Sequence, residues 1–245
     1  MMIQQQYDDI ANLYDILSEG DDGILFFRMK MEKLLISIPP GSKVLDCACG
    51  TGAHAIWMAK QGYEVTATDI SEGMIQQAKQ KAQDEGVKIN FFRSAWEELS
   101  EKSDDQFALI INPGNSFSHV SDLEMLDRSV KAIKDILVPG GQFLFDLRDW
   151  EKTLEKDNMQ PQEFDLETET SSLLVLYTWE INGWNTMCKM FVDIGVGEED
   201  EFEHYVFDFF TIGYQQIQES LLKAGFSKVE REYYPDNDYY CATAE

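Results

Sequence analysis

The stretch from Val44 to Asp69, VLDCACGTGAHAIWMAKQGYEVTATD, limits the fold more than any other part of the chain. It reads as a strand, a glycine loop, a helix, a second strand and an acidic residue at that strand's tip. The loop from Cys47 to Ala53 carries Gly50 and Gly52, where a backbone turns sharply and a ligand approaches with no Cβ in the way. Asp69 follows Gly50 by 19 positions. That is near the roughly 20-residue spacing at which a carboxylate ending a second strand meets the hydroxyls of a ribose. Together these features predict a ligand that contains a nucleoside.

The identity of that nucleoside turns on one carboxylate. Gly50-Thr51-Gly52-Ala53-His54-Ala55 satisfies G-x-G-x-x-A, the dinucleotide pattern, and so raises a nicotinamide-dependent oxidoreductase as a rival reading. In a dinucleotide fold the glycines follow the first strand at once and a helix amino end receives a pyrophosphate. Here the strand leads into Asp46 before the glycines. An acidic group at that point repels a pyrophosphate but accepts a hydrogen bond from the cationic amine of an amino acid. The pattern therefore favours S-adenosylmethionine.

The string DCACGTG, with GYEVTATDIS and the helix GMIQQAK after it, resembles motifs I and Post I of the class I S-adenosylmethionine-dependent methyltransferases. Ala48 replaces the usual first glycine, as in the branch of glycine N-methyltransferase and its glycine/sarcosine relatives. PGNSFSH (Pro113 to His119) and DLRDW (Asp146 to Trp150) resemble the same branch. The resemblance covers residues 7 to 150 and thins beyond them.

It implies an α/β fold: a Rossmann-like seven-stranded sheet with helices on both faces and a small antiparallel β insertion. It also implies that Asp46, Ala48, Gly50 and Gly52 line the methionine moiety and that Asp69 accepts from the ribose. Ile70 and Met74 would flank the adenine on one side, Ala95 and Trp96 on the other, with Asn112 completing the cofactor set. Tyr7 or Tyr14 would face the ligands from an amino-terminal lid; Arg148 would hold an acceptor carboxylate, Asn115 would orient its amine and His119 would support the loop. The donor would be S-adenosyl-L-methionine, the product S-adenosyl-L-homocysteine, and no metal would take part. In the glycine enzymes, tyrosines after strand five help to close the substrate site. Here that region offers Phe164, Phe191 and Phe207, with Tyr177 and Tyr205 as substitutes.

Charge narrows the partners. Lys plus Arg number 20 against 45 Asp plus Glu, a formal charge of −25. Such a surface repels phosphate backbones and anionic lipid heads, so the expected partner is a small-molecule acceptor and neither nucleic acid nor membrane. With no amino-terminal cationic segment leading an apolar run, the expected location is cytoplasmic. The four cysteines lack metal-ligand spacing and read as small buried thiols.

Along the chain, residues 4–17 place Tyr7, Ile10, Leu13, Tyr14 and Leu17 at helical intervals, and a second helix runs from Ile24 to Ile36. Strands and helices then alternate regularly, the signature of a parallel sheet with crossovers. A helix from Leu123 is expected to stop at Pro139-Gly140-Gly141. Two runs, Glu163 to Ile181 and Trp184 to Ile194, are joined by Asn182-Gly183, a two-residue hairpin signal, and Phe202 to Thr211 makes a third strand. The acidic GEEDE before it reads as a solvated loop. The expected layout is one domain over 1–245: a helical lid at 1–36, a core at 43–148 and 213–245, and an antiparallel insertion at 160–212. That insertion would be either a roof over the site or the surface of a homodimer.

Overall fold

The structure is a computed structural model that describes residues 3–18, 22–155, 161–167, 172–196, 202–234 and 237–245. The chain opens with α1 (Ile3–Ile10), α2 (Tyr14–Leu17) and α3 (Asp22–Leu35). Then come β1 (Lys43–Asp46), α4 (Ala53–Lys60), β2 (Glu64–Asp69), α5 (Glu72–Asp84) and β3 (Asn90–Arg93). A 3₁₀ turn at Trp96–Glu98 leads to α6 (Leu99–Lys102) and β4 (Phe107–Asn112), and a second at Ser116–His119 leads to α7 (Leu123–Asp135) and β5 (Leu137–Arg148). The rest is α8 (Trp150–Glu155), β6 (Gln162–Glu167), β7 (Ser172–Glu180), β8 (Met187–Val196), β9 (Phe202–Phe210), α9 (Tyr214–Ala224), β10 (Phe226–Tyr234) and β11 (Asn237–Ala244).

Seven strands form one sheet in the order β10-β11-β5-β4-β1-β2-β3. β1 pairs in parallel with β2 and with β4, while β11 runs antiparallel between β5 and β10. The strand order reverses between β1 and β4, so the carboxyl ends of those strands open the crevice where ligands of such sheets bind. Both faces are covered, which explains why β4 is apolar throughout. Ile110 packs with Phe143, Val130 and Leu221 on one face, whereas Leu109 and Ile111 pack with Val44, Met31 and Met58 on the other. That division follows the two-residue period of a strand.

Four expectations need correction. The amino-terminal run is not one helix: it turns at residues 11–13, where the Leu13 amide donates to the Ile10 carbonyl at 2.8 Å. The turn lets α1 pack along α5 while Tyr14 reaches over Gly50. The helix from Leu123 stops at Asp135, before Pro139-Gly140-Gly141, and those residues lie inside β5 at a shift in its register with β4. Finally, the insertion has four strands in the order β6-β7-β8-β9, because the run from Glu163 to Ile181 makes two. Its break falls at the polar stretch 167–172, which carries no glycine or proline to mark it.

Asn182-Gly183 is not a two-residue turn either. Glu180 pairs with Lys189, and the longer connection is fastened to the end of β9. There Thr211 Oγ1 donates to the Gly183 carbonyl at 2.6 Å and the Asn185 amide donates to the Thr211 carbonyl at 3.0 Å. A tertiary partner has overridden the local turn preference. The GEEDE stretch lies outside the described residues.

Candidate active site

The crevice begins with two carboxylates that shape the glycine loop. Asp69 Oδ2 accepts the Gly50 amide and Oδ1 accepts the Ser71 amide, both at 2.9 Å. Asp69 thus ties the loop after β1 to the start of α5, and burial raises its pKa against the pull of those amides. Asp46 is fully buried at the tip of β1. Its Oδ1 accepts the Ala48 amide at 3.3 Å, its Oδ2 has no partner, and burial pushes its pKa up to about 8. Gly50 has φ +49°, and a Cβ there would lie 3.6 Å from the Tyr14 ring. Gly52 serves packing: at φ +93° a Cβ would meet that of Ala78 at 3.0 Å.

A cavity of about 390 Å³ opens over this loop. Of the residues predicted from sequence, Tyr7, Tyr14, Ala48, Gly50, Asp69, Ile70, Met74, Ala95, Trp96, Asn115 and Arg148 all face it. Asp46, Gly52 and Asn112 do not; they stand behind its wall. Trp96 both lines the cavity and anchors it, since its Nε1–H donates to the Cys47 carbonyl at 2.8 Å and its ring packs on Phe117. Arg28 of α3 lies outside the lining, its guanidinium carbon 5.8 Å from the centroid of the Trp57 ring.

The opposite end of the cavity is made by the loop after β4 and by the insertion. Asp146 Oδ1 and Oδ2 accept the amides of Gly114 and Asn115 at 2.7 and 3.2 Å. Asn115 sits at φ +57°, a conformation that asparagine tolerates better than most residues. Its Oδ1 accepts from the Arg148 amide at 2.8 Å and from Ser118 Oγ at 2.6 Å, so the side-chain carbonyl fastens the loop to β5. The Arg148 guanidinium carbon lies 4.7 Å from the centroid of the Trp179 ring and 5.9 Å from that of Trp150. Such stacking suits a guanidinium that recognises an anion in a dry site.

His119, read from sequence only as support for its loop, has a more defined setting. Its Nδ1 lies 2.7 Å from the Asp208 carbonyl, which can only accept, so Nδ1 carries the proton. In the neutral ring Nε2 is then the acceptor, and the Tyr7 hydroxyl donates to it at 2.8 Å. Burial holds the His119 pKa down to about 4 and raises that of Tyr7 well above the ordinary tyrosine value. The pair is neutral near pH 7.

Several cavity residues escaped the sequence reading. Trp179, Met190, Val192 and Phe209 line it from alternate positions of β7, β8 and β9, beside Tyr177 and Phe207. Phe164 is exposed, Phe191 lies outside the lining, and the Tyr205 hydroxyl donates to Glu203. His54 also lines the cavity, buried, with Nδ1 lacking a partner and a pKa held down to about 4 by burial. The lid is fastened by carboxylates: Asp8 Oδ1 accepts from Ser71 Oγ and the Gly73 amide, and Asp15 accepts from Thr51 and pairs with Lys81. The only sequence signal for the roof was alternation of ring and apolar residues with period two. Among the described residues no helix is long and apolar enough to cross a membrane, and no group of three or more His, Cys, Asp or Glu is placed to hold a metal ion.

Residues 44–141, from β1 into β5, match the family model for a methyltransferase domain. Over those residues the chain is similar to a methyltransferase domain, and they supply β1 to β4 and the start of β5 in the mostly parallel seven-stranded sheet. It is similar to the putative methyltransferase YqeM of Bacillus subtilis, 32% identical over 111 residues, which are 45% of this chain and 44% of that one. It is also similar to the glycine/sarcosine N-methyltransferase of Parasynechococcus marenigrum, 26% identical over 158 residues, 62% of this chain and 54% of that one. The chain thus matches about half the length of these curated relatives. In fold it is similar to the S-adenosylmethionine-bound amino pentose methyltransferase CalS10 of Micromonospora echinaspora. The TM-score is 0.79 at 13% identity, over 95% of this chain and 97% of that one.

Proposed function

We propose that the protein transfers a methyl group from S-adenosylmethionine to a small-molecule acceptor, the amine of an amino-acid-like compound. The observation that carries the reading is one continuous cavity. It joins the Gly50–Asp69 loop to a second chamber holding Arg148 and the Tyr7–His119 pair. The cofactor fits the residues present: Gly50 leaves a cradle that a Cβ would fill, and the buried Asp46 Oδ2 lacks a partner just behind it. Asp69 would hold the ribose, Ile70, Met74, Ala95 and Trp96 the base, and Ala48 and Gly50 the amino-acid end.

When bound, the donor supplies a methyl group already activated on a sulfonium. The chain's task is then to align two reactants and exclude water, and orientation alone contributes on the order of 7–11 kcal/mol. The carboxyl ends of β1, β4 and β5 aim the donor and acceptor subsites at each other, and the insertion keeps water out. Arg148 would pair with an acceptor carboxylate in a bidentate geometry. Tyr7, held by His119 Nε2, presents its hydroxyl oxygen to the acceptor end and would accept a hydrogen bond from the amine before attack. The glycine and sarcosine named for the curated relative are acceptors of the same chemical type.

Calorimetric titration with S-adenosylhomocysteine and with NAD tests the cofactor. Micromolar binding of the first and none of the second is expected, and the reverse would refute the reading. Incubation with radiolabelled methyl donor and a panel of amines, catechols and carboxylates tests the acceptor. Turnover confined to catechols would reject the amine.

A further inference from the structure

The acceptor chamber has an uneven chemistry. Its roof presents Tyr177 and Trp179 from β7, Met190 and Val192 from β8, and Phe207 and Phe209 from β9. The rings of that roof sit against the polar groups below. Phe207 is 5.2 Å from Tyr7, Phe209 is 4.4 Å from His119, and Trp179 lies under the Arg148 guanidinium.

The polar side chains around the chamber are largely committed to one another. Tyr7 donates to His119, Ser116 Oγ donates to the Pro113 carbonyl, and Asn115 Oδ1 accepts from Ser118 and the Arg148 amide. The carboxylate of Asp146 holds two loop amides and the side chain of Asn237. An acceptor rich in hydroxyls would lose its water here and find few replacements, which is costly for every group left unmade. A glycine-sized acceptor would leave the roof uncovered.

We propose, building on the reading above, that the acceptor joins its anionic group to an apolar body of aromatic or branched-aliphatic size. The anion meets Arg148 and the body lies under Met190, Val192 and Phe209. The substrate class is then an apolar amino acid or a close analogue, neither glycine nor an amino sugar. The roof selects this class by shape and dryness, while Arg148 sets its orientation.

The test is calorimetric titration of the full chain saturated with S-adenosylhomocysteine, using acetate, 3-phenylpropanoate and glucosamine 6-phosphate. 3-Phenylpropanoate should bind at least tenfold tighter than either of the others. Met190→Gln, which keeps side-chain length while adding polarity, should weaken that binding several-fold and leave S-adenosylhomocysteine affinity within twofold. Acetate or glucosamine 6-phosphate binding as tightly as 3-phenylpropanoate would overturn the proposal and leave the methyltransferase reading standing. Saturable binding of none of the three would overturn it equally. Failure of S-adenosylhomocysteine itself to bind would instead strike the underlying reading.

Discussion

Gly52→Ala separates packing from ligand contact at the glycine loop. Residue 52 has φ +93°, and holding an L-residue in the left-handed region costs about 1–2 kcal/mol. The new Cβ would also sit 3.0 Å from Ala78 Cβ, and overpacking of this kind costs about 1–3 kcal/mol. The variant should therefore lose about 2–5 kcal/mol of stability, read as a lower urea midpoint. Ala78→Gly removes the colliding methyl at a helix-propensity cost of about 1 kcal/mol. The double variant should recover at least about 1 kcal/mol of coupling energy, since the two residues touch. Gly52 does not face the cavity, so the folded fraction should keep its affinity for S-adenosylhomocysteine. A stable Gly52→Ala protein with lost affinity would refute this reasoning, as would a double variant showing no coupling.

Stability should peak near pH 6.5. Buried His54 and His119 have folded pKa values near 4, below the ordinary histidine value, so the unfolded chain takes up protons first and stability falls as pH drops from 6.5 toward 4. Asp46, held at about 8, works the other way: the folded state keeps its proton, and the stability this contributes is lost as pH rises to 8. Asp46→Asn should flatten the alkaline decline, and urea midpoints at pH 5, 6.5 and 8 measure it. Tyr7→Phe removes the hydroxyl bonded to His119 and should lower kcat on the order of 10²-fold, the low end of what a group positioned on a reacting N–H contributes, with little change in cofactor affinity. Wild-type kcat in that variant would remove Tyr7 from the chemistry. Arg148→Lys should weaken acceptor binding far more than cofactor binding, because lysine cannot make the planar fork or the stack on Trp179. Equal losses for both ligands would contradict that assignment.

The parallel half of the fold was legible because each of its signals is local. A strand, a glycine pair, a helix face such as Met74, Ile75, Ala78 and Ala82, and the Ser71 cap all fall within a few residues of one another. Misreadings came where a distant partner decided the outcome. Asn182-Gly183 is a good hairpin signal in isolation, but Thr211 captures the loop and lengthens it. Pro139-Gly140-Gly141 is a good helix stop, yet pairing with β4 carries β5 back across those residues. The insertion strands gave only an alternation of apolar residues, a weak signal with no punctuation between β6 and β7.

The site divides along the same line. The end of the cavity over the glycine loop is written in one contiguous stretch, so the placement of Ala48, Gly50 and Asp69 in its lining was readable, though a motif position cannot tell a lining glycine from the packing glycine at 52. The opposite end, under the insertion, is built from pairs far apart in the chain: Tyr7 with His119, Asn115 with the Arg148 amide, and Gln6 with Asp208, whose carbonyl sets the His119 tautomer. No spacing rule encodes such pairs. They exist because the chamber is dry, and a polar group in a dry place must find a partner from whichever segment the fold brings near. Helix α1 shows the consequence, because Asp8 binds the start of α5 while Tyr7 and Gln6 bind His119 and Asp208 on the opposite side. One short helix thus forms a wall common to both ends of the cavity, and its docking sets the geometry on each side.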